Sequence, residues 1–176
     1  MMKENTAKDI ERIKGTTENI AELLESTQWA NEFSWKQLMA VSEYIQAYSV
    51  KAGAVIFNEG DSERSLGIIV EGQVDIVKTD GRKTGNIIAT LVPGNTFGEM
   101  SLIDAEPRSA QAVAATDVVM LKMTKDAFFE LAAAKPSLAF QLLLKISTMI
   151  SRRLRRTSGQ LVDHLSEDSW AAKEDT

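Results

Sequence analysis

Leu66-Gly67-Ile68-Ile69-Val70-Glu71-Gly72-Gln73-Val74-Asp75-Ile76-Val77 reads as two short apolar runs separated by Glu71, Gly72 and Gln73. Leu66, Ile68 and Val70 alternate with their neighbours, as do Val74 and Ile76, which is the two-residue period of a β-strand. The Glu71-Gly72 step between the runs predicts a hairpin. Working outward, eight of the ten glycines lie between Gly53 and Gly98, with short apolar runs between them. Such punctuation belongs to many short strands joined by tight turns. Asp80-Gly81 marks another turn. A run from Ile87 to Val92 ends at Pro93-Gly94, and Ala110 to Ala114 and Val118 to Met123 add two more. That number of short strands suits a small antiparallel barrel or jelly roll.

The flanks follow a different rule. Neither Gly nor Pro interrupts the chain from Thr16 to Ala52, and apolar residues recur there at three and four. Helices are therefore expected before the roll, with Ile10, Ile13, Thr17, Ile20 and Leu24 forming one stripe packed on its own domain. After the roll, Lys125 to Ala133 reads as a short helix, and Pro136 suits the first position of a long one. On that helix Leu143, Ser147, Ile150, Leu154, Thr157 and Leu161 alternate by four and three, the spacing of a helix–helix seam. The seam points to a homodimer through the C-terminal helix; the bland alternative is a stripe that only covers the roll. The expected class is α+β, an antiparallel jelly roll with N-terminal helices and a long C-terminal helix. The expected divisions are a helical segment at 1–48, the roll at 49–124, helices at 125–167 and a flexible tail at 168–176.

With 176 residues and 44% hydrophobic content the chain has the size of one domain with appendages. A formal net charge of -5 offers no basic footprint for a polyphosphate backbone. The absence of cysteine removes disulfides, thiolate catalysis and iron–sulfur ligation. No apolar stretch has signal-peptide or membrane-span length, so a cytoplasmic location without membrane contact is expected. His164 is the single histidine and has no partners at ligand spacing, so no metal site or cofactor is expected. Arg152, Arg153, Arg155 and Arg156 read as a solvated face flanking the helix seam.

From Pro93 to Ala110 the chain runs Pro-Gly-Asn-Thr-Phe-Gly-Glu-Met-Ser-Leu-Ile-Asp-Ala-Glu-Pro-Arg-Ser-Ala. Gly98 permits close backbone approach, and a short helical turn after it aims free N–H groups at an anion. Glu99 brings two acceptor oxygens suited to a ribose hydroxyl. Arg108 brings the planar fork that pairs with phosphate oxygens, and Ser109 adds a hydroxyl beside it. Each pair alone is weak, since neighbouring Glu and Arg usually form only a surface ion pair worth under ~1 kcal/mol.

Together, the 93–110 segment, Asn58-Glu59-Gly60-Asp61 and Ile68-Ile69-Val70-Glu71-Gly72-Gln73-Val74 resemble the cyclic nucleotide-binding domain family, from roughly Tyr44 to Val162. The resemblance implies a phosphate-binding cassette with ligand contacts at Phe97, Gly98, Glu99, Met100, Ser101, Arg108, Ser109 and Ala110. In it Glu99 takes the ribose 2′-hydroxyl, Arg108 anchors the cyclic phosphate, and Gly98 and Ser109 are phosphate ligands. Ser101 stands where many members carry a small apolar residue, a departure expected to alter packing more than ligand chemistry. Pro107-Arg108-Ser109-Ala110, with Arg152-Arg153-Leu154 leading into Thr157-Ser158, is similar to the ligand domain of catabolite activator-type regulators. That likeness implies adenine contacts from Thr157 and Ser158, the serine reaching in from a second subunit. Gly159 threatens to end the helix there, since glycine costs ~1 kcal/mol relative to alanine in a helix interior.

These residues point to a sensor for a cyclic nucleotide, cAMP ahead of cGMP or a cyclic dinucleotide. It acts through a dimer or a downstream protein that the sequence does not name. Ser109 also suits a guanine amino group, so the base stays open. A nucleotide-free interaction scaffold is the alternative. Enzymatic activity is not expected, because cleaving a cyclic phosphate calls for an activated water and no metal-ligand set is visible. Direct DNA binding is not expected either, because only about a dozen residues follow Val162 and no helix-turn-helix fits in them.

Overall fold

In the computed structural model, which describes residues 9–79, 85–104 and 106–174, the N-terminal part carries strand β1 (Ile10–Ile13), helix α1 (Thr17–Glu25), a 3-10 turn at Gln28–Ala30 and helix α2 (Trp35–Ser42). Six strands follow: β2 (Gln46–Val50), β3 (Val55–Phe57), β4 (Ser65–Glu71), β5 (Val74–Thr79), β6 (Gly85–Leu91) and β7 (Thr96–Phe97). One helical turn, α3 (Glu99–Ile103), precedes β8 (Gln111–Ala114) and β9 (Val118–Thr124), and the chain ends in α4 (Lys125–Ala134) and α5 (Pro136–Glu174). The strands form two antiparallel sheets, ordered β1-β2-β9-β4-β7 and β3-β8-β5-β6. This is the antiparallel jelly roll with flanking helices.

The core lies between the sheets. Val50, Ile69, Val118 and Met120 come from the first sheet, and Val74, Leu91, Ala112 and Ala114 from the second. Ala112 and Ala114, like Val118 and Met120, are two apart, so one face of each strand supplies the core. Both faces of β4 are covered, since Ser65 through Val70 are all buried. Phe97 reaches across it, and a methyl group on Gly67 would lie 2.5 Å from the Phe97 ring.

Three expectations need correction. The Glu71-Gly72 step is a corner and not a hairpin, because β4 belongs to one sheet and β5 to the other. Gly72 has φ 83°, and the corner is stitched to the β8–β9 turn by Gln73 N donating to Thr116 Oγ1 at 3.0 Å and Ala115 N donating to Gln73 O at 2.9 Å. Asp117 of the same turn accepts from Ala52 N at 2.9 Å and Lys51 Nζ at 3.0 Å. Second, Ile10 and Ile13 do not share a helix with Leu24. They lie in β1, opposite Val50 and Ala47 of β2. The helix starts afresh because Thr16 is an extended N-cap in a capping box with Asn19, which fixes the first helical residue at Thr17. Third, α5 runs through Gly159 and on to Glu174, across most of the segment expected as a tail. The Asp80-Gly81 turn lies outside the described residues, as do the side chains of Leu161 and His164.

The chain divides into two compact units, Met1–Leu138 with the roll and Ala139–Thr176 with most of α5. No helix among the described residues is long and apolar enough to cross a membrane.

The glycines separate two kinds of strain. Gly53 has φ 82° with open space around it, whereas a methyl group on Gly72 would meet the Asp117 carbonyl oxygen at 2.1 Å. Gly53→Ala should cost about 1 kcal/mol of left-handed strain. Gly72→Ala should cost about 2–4 kcal/mol, because overpacking against the backbone adds to the same strain. Urea unfolding of the two variants checks this, and equal losses would remove the proposed corner clash.

Candidate functional site

The segment from Pro93 is held against β4 before it reaches the arginine. Gly94 N donates to Ile69 O at 2.8 Å, and Thr96 and Phe97 pair with Ile68 and Gly67. Gly98, at φ 72°, turns the chain into α3. After α3 the Arg108 backbone is zipped onto the loop that follows β3, its N–H donating to Asp61 O at 2.9 Å and its carbonyl accepting from Gly60 N at 2.8 Å. That loop is shaped by Asn58 N donating to Asp61 Oδ2 at 2.7 Å.

The side chain of Arg108 turns inward and is 4% exposed. Its Nη1 donates to Ser65 O at 2.8 Å, Gly98 O at 2.7 Å and Ser101 Oγ at 2.7 Å, and its Nη2 donates to Ser65 Oγ at 2.7 Å. The Phe57 ring covers one face, with its centroid 4.1 Å from Cζ. Nε is buried and has no hydrogen-bond partner among the described residues. Burial pushes the guanidinium's pKa below its ordinary value, and the carboxylates of Glu63, Asp61 and Glu99 pull it back up. Arginine keeps its charge through such shifts, so this is a buried cation in an acidic surround. Gly98 is indispensable to the packing, since a methyl group there would lie 2.4 Å from Arg108 Nη1 and 2.8 Å from Ser65 O.

Glu99 sits in the first turn of α3 and is 2% exposed. The structure brings Gly98 and Ser101 onto Arg108, with the Glu99 carboxylate close enough to act on the guanidinium. Met100 is 46% exposed, and its sulfur receives the exposed Ser109 hydroxyl at 4.0 Å. Ala110 is buried at the entry to β8. Phe97 is a core residue under β4, its ring filling the space that Gly67 leaves open. Ser101 is tied into the same cluster. Its hydroxyl donates to Gly98 O at 3.1 Å and accepts from Arg108, so the departure reaches the arginine itself. Thr157 and Ser158 stand exposed on α5, in the second unit.

Sequence reasoning missed Phe57, Ser65 and Lys78. Lys78 of β5 donates to Ser109 O at 2.6 Å and to Glu59 Oε1 at 2.5 Å, while Thr79 N donates to Glu59 Oε2 at 3.3 Å. No local motif announces such a link; it exists because β5 pairs with β8. The Lys78 hydrogen bond, then the Thr79 amide, hold the Glu59 carboxyl below its ordinary pKa. A carboxyl depressed in this way adds stability above its unfolded pKa and loses it as pH falls through the folded value. In Lys78→Met the Glu59 midpoint, followed by carboxyl carbon NMR, should therefore rise toward the ordinary range, and an unmoved midpoint would dissolve the link.

Residues 48–135 match the model of the cyclic nucleotide-binding domain. A CRP-like cAMP-activated global transcriptional regulator of Mycobacterium tuberculosis is 33% identical over 133 residues, which is 74% of this chain and 57% of the regulator. Among solved structures, a cyclic nucleotide-binding domain from Methylobacillus flagellatus superposes with a TM-score of 0.78 at 27% identity, covering 89% of this chain and 90% of that one. The catabolite activator protein of Thermus thermophilus gives 0.66 at 30% identity, covering 78% of this chain and 62% of that protein. This chain therefore spans less than two thirds of both the regulator and the activator. With the domain match, the two-sheet roll and the intact Gly98-Glu99 and Arg108-Ser109 steps, the chain belongs to the cyclic nucleotide-binding domain family.

Proposed function

We propose that the chain is a cAMP sensor in which Arg108 takes the cyclic phosphate and Glu99 the ribose 2′-hydroxyl. The observation that carries this reading is the state of the guanidinium. Its Nη1 side is saturated by protein oxygens, while Nε–H is buried without an acceptor among the described residues. A buried donor left so costs about 1–3 kcal/mol, which a ligand oxygen would recover. Ser109, exposed beside it with its backbone tethered by Lys78, supplies a hydroxyl to the same anion. The relative named as cAMP-activated supports adenine over guanine, and no group of metal-ligating side chains stands out among the described residues.

Output runs through α5 in this reading. Leu143, Ser147, Ile150, Leu154 and Thr157 recur at four and three, which supports a homodimer through the helix. Thr157 and Ser158 are the adenine contacts that couple ligand to helix arrangement, and the ligand shifts that arrangement only as far as its affinity differs between the two states. The signal passes to a downstream protein. The near-complete burial of Arg108 and Glu99 favours a second reading, a roll that serves as an interaction scaffold without nucleotide.

Calorimetric titration with cAMP and cGMP separates the two, with micromolar or tighter binding of cAMP expected and no heat from either nucleotide supporting the scaffold. Arg108→Ala should weaken cAMP binding by about a hundredfold or more, through loss of a charge-assisted bidentate pair. Unchanged affinity would remove Arg108 from the site. Thr157→Ala and Ser158→Ala should instead narrow the preference for cAMP over cGMP by about tenfold. Equal losses for both nucleotides would take the adenine role away from α5.

A further inference from the structure

The junction of β1 and α1 carries a second set of polar groups, at the far edge of the sheet from the cassette. The β1–β2 ladder ends at the Ile13–Ala47 pair, and Thr16 caps α1. Lys14 and Gly15 are therefore left as a two-residue elbow, and Gln46 extends past the last pair. Beside the elbow lies a pocket of about 340 Å³, with Ile13, Ile20 and Ala47 as apolar walls and Arg12, Lys14 and Gln46 as polar ones. That volume is in the range of small-molecule sites. Arg12 and Lys14 make no hydrogen bond or ion pair among the described residues. Gln46 Oε1 accepts from the Tyr48 hydroxyl at 2.7 Å, which leaves the Gln46 amide N–H groups without an acceptor among the same residues. Nearby acids do not neutralise the two cations. Glu63 pairs with Lys122, the β9 partner of Gln46, Glu11 acts on Lys51, and Glu18 of α1 forms no ion pair with either cation.

We propose that this pocket binds an organic phosphomonoester, with Arg12 and Lys14 on two of its oxygens, Gln46 donating to the third, and the apolar walls holding the carbon body. A phosphomonoester carries about 1.5 to 2 negative charges near neutral pH and three strong acceptor oxygens. The pocket matches it with two cations and one neutral donor. A carboxylate has one charge and leaves a cation unmatched. Inorganic phosphate leaves Ile13, Ile20 and Ala47 uncovered, and apolar area removed from water is what adds affinity there. The end of α1 is not the donor, because its Asn19 N–H already donates to Thr16 Oγ1 at 3.2 Å. The site is separate from the one at Arg108, since β1 and β7 are opposite edges of the five-stranded sheet, roughly 19 Å apart at ~4.8 Å per strand. It does not depend on the cAMP reading, and a cyclic phosphodiester, with a single charge, is the poorer fit.

The test uses the full chain with phenyl phosphate as the probe, at physiological salt, where exposed charges more than about 8 Å apart are largely screened. In amide NMR spectra the probe should shift residues 12–15 together with Ile20, Gln46 and Ala47, and the shifts should saturate with a Kd of about 1 mM or tighter. Arg12 and Lys14 are exposed, so Arg12→Ala and Lys14→Ala should fold as the wild type does. Each should weaken the probe by about tenfold. Inorganic phosphate should bind about tenfold more weakly than phenyl phosphate, and benzyl alcohol should produce no shifts. An excess of cAMP should leave the probe's shifts at residues 12–15 in place, whether or not cAMP binds at Arg108. Absence of saturable shifts at the elbow, or unchanged affinity in both variants, would overturn the site. Equal binding of inorganic phosphate would overturn the organic ligand and reduce the pocket to a patch of positive charge. Displacement of the probe by cAMP would overturn the separation of the two sites, while failure of cAMP to bind anywhere would remove only the nucleotide reading.

Discussion

A buried cation must find oxygen, and the roll is arranged so that Arg108 finds it. Removing a guanidinium from water is costly unless its donors are satisfied. Here the acceptors come from two separate stretches, Ser65 on β4 and the start of α3, where Gly98 is the N-cap and Ser101 lies in the helix. The glycine is part of the requirement. Its left-handed φ turns the chain, and its missing side chain is where Nη1 lies. Around this, a stack from Gly67 to Phe97 to Phe57 supports the guanidinium's face, with the two phenyl centroids 5.9 Å apart. The core of the roll and the cage around Arg108 are therefore one packing arrangement.

Much of this was legible in the residues. The apolar alternation of Leu66, Ile68 and Val70 and the glycine spacing gave the strands, and Pro136 and Thr124 sit where helices start. The polar pair Glu99 and Arg108 was visible because no core position asks for those residues there. Other features were hidden for a physical reason. Whether Glu71-Gly72 makes a hairpin or a corner depends on which strand β4 finds as its partner, and that partner, β9, lies about fifty residues away. Pairing at such separation leaves no trace in a local pattern. Ile10 and Ile13 have helical spacing, yet the free edge of β2 and the capping box at Thr16 outweighed it.

The site shows the same division. Candidates within the 93–110 segment came from their chemistry together with a family resemblance, whereas the neighbours that hold them, Phe57, Ser65 and Lys78, were not legible. Ser101 is the instructive case. Read as a departure that bears on packing, it carries a hydrogen bond from a charged group, and such bonds are stronger than neutral ones. A hydroxyl on a short helix is silent until its neighbour across the turn is known.

The 43-residue separation of Ser65 and Arg108 has one more effect. Loop closure over that length is slow, and the guanidinium is caged only after β4 has found β9 and the cassette has folded back over it. A half-made chain, whether emerging from the ribosome or partly melted, holds no assembled cage around Arg108. Nucleotide binding by such a domain is in this sense proofread by folding: whatever binds the finished molecule alone draws the population toward that finished state.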